Sequence, residues 1–192
     1  MKRFKVEWMA AGFLAALLTG CGSVAFNGQN FDVGITPNPM TIDIDLDDDG
    51  GITYTNTSQV FTFASKAGAL GVTIEGYDIE FYEASDNLSF PGDSVTRSSG
   101  SLNVYVPAGL TCVAPDPLLG CTINSEGAVA ARGPVAQSPS SFLVPIDAAL
   151  SLWRLVGVGG SVGAYAKVYF YGTDDLQRPF RTGPYQFSLI II

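Results

Sequence analysis

Apolar and polar residues alternate along most of this chain. Thr41-Ile42-Asp43-Ile44-Asp45-Leu46 has a period of two, as do Val60-Phe61-Thr62-Phe63-Ala64 and Ser101-Leu102-Asn103-Val104-Tyr105-Val106. A longer stretch runs from Gly71 to Tyr82, and Val162–Tyr171 and Tyr185–Ile192 close the chain. Ser141–Ile146 is a shorter apolar run. Successive strand side chains point to opposite faces, so this alternation predicts strands buried on one side. Val, Ile, Thr, Tyr and Phe dominate the runs, as β-structure favours. Turn formers separate them: Asp48-Asp49-Gly50-Gly51, Ser85-Asp86-Asn87, Pro91-Gly92-Asp93 and Thr173-Asp174-Asp175. About eight strands at fairly regular spacing predict a sandwich or barrel. The one helical candidate is Asp147 to Val156, with Asp147 as cap. Neighbouring glycines restrict the expectation to a single helical turn or a strand.

The first twenty residues break the alternation. Lys2, Arg3 and Lys5 precede an apolar run from Met9 to Leu18, and small residues lead into Cys21. A basic head, a short apolar stretch and a small-residue cleavage site are the parts of a secretory signal. The run is too short to span a bilayer, which takes about 20 residues. This segment resembles a bacterial lipoprotein signal peptide, with Leu18-Thr19-Gly20-Cys21 as its lipobox. The resemblance implies cleavage before Cys21 and lipidation of its thiol, with acyl chains such as palmitate holding the protein at a membrane. Gly22 does not resemble the Asp that keeps such proteins in an inner membrane. The expected location is therefore the extracytoplasmic side of the cell envelope, at the outer membrane or surface in a diderm organism. Residues 1–20 are then signal, 21–30 a lipidated tether, and 31–192 one domain.

Charge narrows the possible partners. Removing the signal leaves 7 basic and 17 acidic residues, a net charge of −10. Such a chain lacks the Lys/Arg clusters that nucleic acid requires. Anionic lipid would repel it, so membrane contact is expected through the lipid anchor. The chain contains no histidine. That excludes Ser-His-Asp and Cys-His catalysis and the common His-containing zinc sites. With Cys21 given to lipid, Cys112 and Cys121 remain as a disulfide pair in an oxidising compartment. Pro115, Pro117 and Gly120 between them mark an exposed turn.

The final hairpin, Ser161–Tyr171 and Phe180–Ile190, resembles the last two strands of an immunoglobulin-like domain. Tyr165 falls near the start of the penultimate strand, where that fold keeps a tyrosine bonded back to the backbone. The resemblance implies an antiparallel, immunoglobulin-like β-sandwich of about 7–9 strands over residues 31–192.

Three features carry candidate chemistry. Asp45-Leu46-Asp47-Asp48-Asp49-Gly50 fits the front half of a calcium loop, with Asp45, Asp47 and Asp49 as ligands. Its twelfth position is Asn56 rather than a bidentate Glu, and strands flank it instead of helices. The alternative is a hairpin turn with a solvated acidic edge. Residues 107–140 form a long loop with little periodicity. Leu118 and Leu119 at its tip are candidates for binding a partner, or else fold back onto the domain. Paired carboxylates could serve glycoside hydrolysis, but no acid/base pair is identifiable. Tyr77, Phe81, Tyr82, Tyr169 and Tyr171 read as core and cross-strand partners rather than a carbohydrate platform. The expectation is a lipid-anchored, non-enzymatic module that binds another envelope protein. A calcium-stabilised adhesion module and an envelope hydrolase are the alternatives.

Overall fold

Two prolines decide how the chain enters the fold. Strand β1 (Phe31–Thr36) and strand β2 (Met40–Leu46) are separated only by Pro37-Asn38-Pro39. Proline donates no ladder hydrogen bond, so a strand does not run through this pair. The chain changes sheet there. Strand β1 joins a three-stranded sheet of order β1-β4-β9, with β4 at Val60–Ser65 and β9 at Val135–Gln137. Strand β2 joins a six-stranded sheet of order β3-β2-β11-β10-β5-β6. Its other members are β3 (Ile52–Asn56), β5 (Val72–Glu83), β6 (Arg97–Val106), β10 (Val162–Asp174) and β11 (Pro179–Ile191). Strands β7 (Leu110–Thr111) and β8 (Val129–Ala130) form a separate ribbon. This computed structural model describes residues 30–46, 48–83, 97–156 and 162–192.

The sheets face each other across one aromatic core. Phe61 of β4 meets Phe170 of β10 edge-on at 5.0 Å and Tyr77 of β5 at 5.6 Å. Phe63 meets Phe170 at 5.1 Å and Phe31 at 5.9 Å. Met40, Ile42, Ile74, Ile79, Phe81 and Leu189 are among the other buried residues of the large sheet. The period-two positions of the sequence supply nearly all of these residues.

The architecture is an all-β sandwich. Its small sheet is β1-β4-β9 and its large sheet β3-β2-β11-β10-β5-β6. Three expectations need correction. The described residues contain eleven strands rather than seven to nine, because β7, β8 and β9 are short pieces inside the stretch 107–140. That stretch is therefore not one unstructured loop: β9 pairs with β4 and belongs to the sandwich. The sheet is mixed, since β2 runs parallel to β11 in the register Leu189↔Met40 to Ile191↔Ile42. The proline crossing delivers β2 to the free edge of β11 in that direction.

The helical candidate is a full helix, α1 (Ile146–Val156). It begins at Ala149 N–H to Pro145 C=O, 3.1 Å, so Asp147 lies inside the first turn and is not the cap. There its charge faces the positive end of the helix, and Arg154 occupies the last turn. Ala148, Ala149 and Trp153 are buried, with Leu150 packed against the core. This apolar stripe, and not intrinsic propensity, holds the helix beside the neighbouring glycines.

Candidate functional site

The two ends of the sandwich are built differently. One end gathers the entry of the domain, the β4–β5 turn, the segment after β6 and the β10–β11 turn. Lys66 N–H donates to Asn30 C=O at 2.9 Å, and Gly68 N–H to Gly109 C=O at 2.7 Å. Asp175 N–H donates to Gly71 C=O at 3.0 Å, and Gly133 N–H to Ser65 C=O at 2.9 Å. The opposite end carries the proline crossing, Gln59 and α1. Gln59 is buried, pairs with Ser141 through both backbone bonds, and accepts Leu143 N–H at 3.1 Å on its side-chain oxygen.

The disulfide-closed loop projects from the first end. Cys112 and Cys121 are bonded, with Cα atoms 5.7 Å apart. Within the loop, Asp116 and Gly120 exchange two backbone bonds of 3.0 and 2.9 Å. Gly120 supplies the left-handed conformation this turn needs, at φ +71°. The Asp116 carboxylate accepts N–H from Leu118 and Leu119, each at 2.8 Å. The Leu119 and Leu118 bonds hold the Asp116 carboxyl below the usual range. A local hydrogen-bonded turn thus presents the two leucines. Leu118 is 84% exposed and Leu119 48% exposed, so neither folds back into the core. Val113 (78%) and Ile123 (63%) stand out beside them.

Below the tip lies an open groove of about 310 Å³, lined by Leu70, Tyr105, Ala108, Leu119, Ile123 and Leu176 among others. Its polar feature is the contact of Tyr105 with Asp175. The phenol donates to Oδ1 at 3.2 Å, while Gly71 N–H donates to Oδ2 at 3.0 Å. Partial burial, with the Asp175 charge beside it, pushes the Tyr105 hydroxyl up to about 12. It acts as a standing donor, not as an acid near neutral pH.

The acidic turn offers less than its spacing suggests. Asp45 on β2 is opposite Thr53 and exposed, and Asp49 is exposed in the turn, where Gly50 has φ +79°. Asp47 lies outside the described residues. Among the described residues, no three acidic, His or Cys side chains gather as a metal site. Asn56 pairs with Ile42 and so shares the inner face, whereas Asp45 belongs to the outer face. The Asn56 amide donates to Tyr54 Oη at 2.9 Å and to Val144 C=O at 3.2 Å. The twelfth loop position therefore ties β3 to the segment before α1, on the opposite face from Asp45.

The outer face of the large sheet carries a group that the alternation of β10 already encoded. Tyr165, Lys167, Tyr169 and Tyr171 occupy successive outward positions. Tyr165 stacks on Tyr82 at 5.2 Å with planes 6° apart, and Lys167 Nζ lies 4.3 Å over the Tyr82 ring. The Tyr82 hydroxyl donates to Glu80 at 2.8 Å, and Glu80 pairs with Arg97 at 3.3 Å. Desolvation and the adjacent Glu80 raise Tyr82 to about 12. Arg181 pairs with Asp78 at 2.9 Å and lies 5.0 Å over Tyr169. Of the five aromatic residues expected in core or cross-strand roles, Tyr77 and Phe81 are buried, whereas Tyr82 and Tyr169 work across the outer face. The Tyr171 ring covers Gly76, where a side chain would collide with it.

The carboxyls of Asp116, in the disulfide loop, and Asp174, at the end of β10, are both shifted downward. Burial raises Asp174, but the Arg178 side chain and the N–H groups of Arg178 and Leu176 outweigh it. Such groups stay ionised and are poor general acids. No helix among the described residues is long and apolar enough to cross a membrane. Cys21 and the signal-like segment lie outside the described residues, as do the expected turns at 85–87 and 91–93. Comparison with protein-family models and with curated proteins gives no match to this chain.

Proposed function

We propose that this chain is a lipid-anchored module of the bacterial cell envelope, held through Cys21, that acts by contact and not by catalysis. The observation that carries this is the ordered signal at the N-terminus: Lys2, Arg3 and Lys5, the apolar run Met9–Leu18, then Leu18-Thr19-Gly20-Cys21. Three further features support it. The Cys112–Cys121 disulfide suits an oxidising compartment. The absence of histidine and the downward shifts of Asp116 and Asp174 suit a surface without acid–base machinery. The tyrosines and Arg181 on the outer sheet face are residue types enriched in protein interfaces, which suits an envelope protein as partner. Fractionation of the producing cell is the test. The wild-type chain is expected in the membrane fraction, and Cys21→Ser is expected to remain unlipidated and leave that fraction on carbonate washing. Equal retention of both proteins would contradict an anchor at Cys21.

A further inference from the structure

The described domain begins at Asn30, whose carbonyl is bonded to Lys66 at the same end that carries the disulfide loop. If Cys21 is the anchor, nine residue steps separate it from Asn30, a reach of about 30 Å at full extension. The tether therefore emerges beside the loop, not beside α1. From that end project Val113, Leu118 and Ile123, each more than 60% exposed, with Leu119 half exposed next to them. Resting on the anchor reading above, we propose that this apolar tip is a membrane foot. It seats in the interface of the bilayer that holds the anchor and turns the outer sheet face and the α1 end away from it.

Two properties fit that occupant better than a protein. The tip is fixed in shape before contact: the disulfide closes it, and the Asp116 carboxylate holds the N–H groups of Leu118 and Leu119. An anchored domain also meets its own bilayer at high effective concentration, so a few apolar side chains suffice where a free protein would need far more. The charge pattern selects the lipid. Residues 107–131 contain Asp116 and Glu126 and no Lys or Arg. Lys66 and Arg132 stand at the same end, Arg132 paired with Asp32 at 3.2 Å, but the loop itself offers anionic headgroups no cation, so zwitterionic lipid is the surface the experiment uses.

The experiment uses the full chain, processed in a bacterial host and reconstituted into phosphatidylcholine vesicles with or without bromine-labelled acyl chains. A tryptophan reporter is placed at the tip, Leu118→Trp, and a control at the far end, Phe142→Trp, each read as the difference from the wild-type chain, whose Trp153 is buried on α1. Phe142 is also exposed, but adjoins the Gln59–Ser141 pair at the opposite end. Vesicle flotation of the wild-type chain tests the anchor separately. The foot is supported if Leu118→Trp is blue-shifted and quenched by bromolipid at a depth of about 5–10 Å, as for interfacial apolar faces, while Phe142→Trp is not. Flotation with no quenching at the tip overturns the foot and leaves the anchor standing. A blue shift without bromolipid quenching means that protein, such as a second copy, covers the tip, and also overturns it. Failure of the wild-type chain to float overturns the anchor and the foot together.

Discussion

Phe61→Ala is expected to be among the most damaging single substitutions in the domain. Phe61 is 1% exposed and belongs to the small sheet, yet its ring neighbours Tyr77, Phe170 and Phe187 belong to the large one. Truncating a buried Phe to Ala costs about 3–5 kcal/mol through lost transfer energy and the cavity left behind. Within that sum, each well-formed edge-on pair contributes about 0.5–1.5 kcal/mol beyond area burial, and Phe61–Phe170, at 5.0 Å and 90°, is the better formed. With a urea slope of about 2 kcal/mol/M, the unfolding midpoint should fall by about 2 M. Phe142→Ala provides the control: Phe142 is 67% exposed, and its loss should stay within about 0.5 kcal/mol. A double-mutant cycle between Phe61 and Phe170 should return a coupling of about 1 kcal/mol. A cost below about 1.5 kcal/mol for Phe61→Ala, or zero coupling to Phe170, would refute a shared core between the two sheets.

Three other outcomes follow from the geometry. Cys112→Ser with Cys121→Ser opens a loop of sequence separation 9, and loop-closure entropy sets the expected loss at about 2.7 kcal/mol, read by urea unfolding; an unchanged midpoint would contradict it and mean that the unstapled loop is as free in the folded protein as in the unfolded chain. Gln59→Leu strips the buried Leu143 N–H of its acceptor, with an expected cost of about 1–3 kcal/mol; thermal unfolding indistinguishable from wild type would contradict that role. The Asp174 carboxyl is lowered in the fold, so its contribution is present above the unfolded value near pH 4 and lost as pH falls through the folded value. Asp174→Asn should therefore flatten the acid limb of the stability–pH curve, and an unaltered limb would show that the Arg178 pairing has no effect on stability.

The strands with long, clean alternation were legible in sequence because one of their faces is buried throughout. Strands β2, β4, β5 and β10 fall close to the period-two runs that announce them. Strand β9 was not legible: three residues inside a proline-rich stretch are too few to show a period, and only pairing with β4 makes them a strand. Strand β1 carries Gly34 and stops at the proline pair, which masks its alternation. Helix α1 was underestimated because its neighbouring glycines argue locally against it, while burial of Ala148, Ala149 and Trp153 is a tertiary effect. Cysteine arithmetic and the turn residues Pro115, Pro117 and Gly120 pointed to the disulfide, whereas the exposure of Leu118 stayed open in sequence, because the Asp116 carboxylate that holds its N–H is a feature of the folded turn. The outer tyrosine group was missed as a group: the alternation of β10 carries Tyr165, Lys167, Tyr169 and Tyr171, but their partners Glu80, Asp78 and Arg181 lie on other strands, beyond the reach of local pattern.

The anchor is tested most directly by the intact mass of the mature protein extracted from the envelope. A polypeptide starting at Cys21 and carrying diacylglycerol-type mass on that residue is expected, with the added mass absent from Cys21→Ser. A mature chain that starts elsewhere, or that bears an unmodified Cys21, would contradict it.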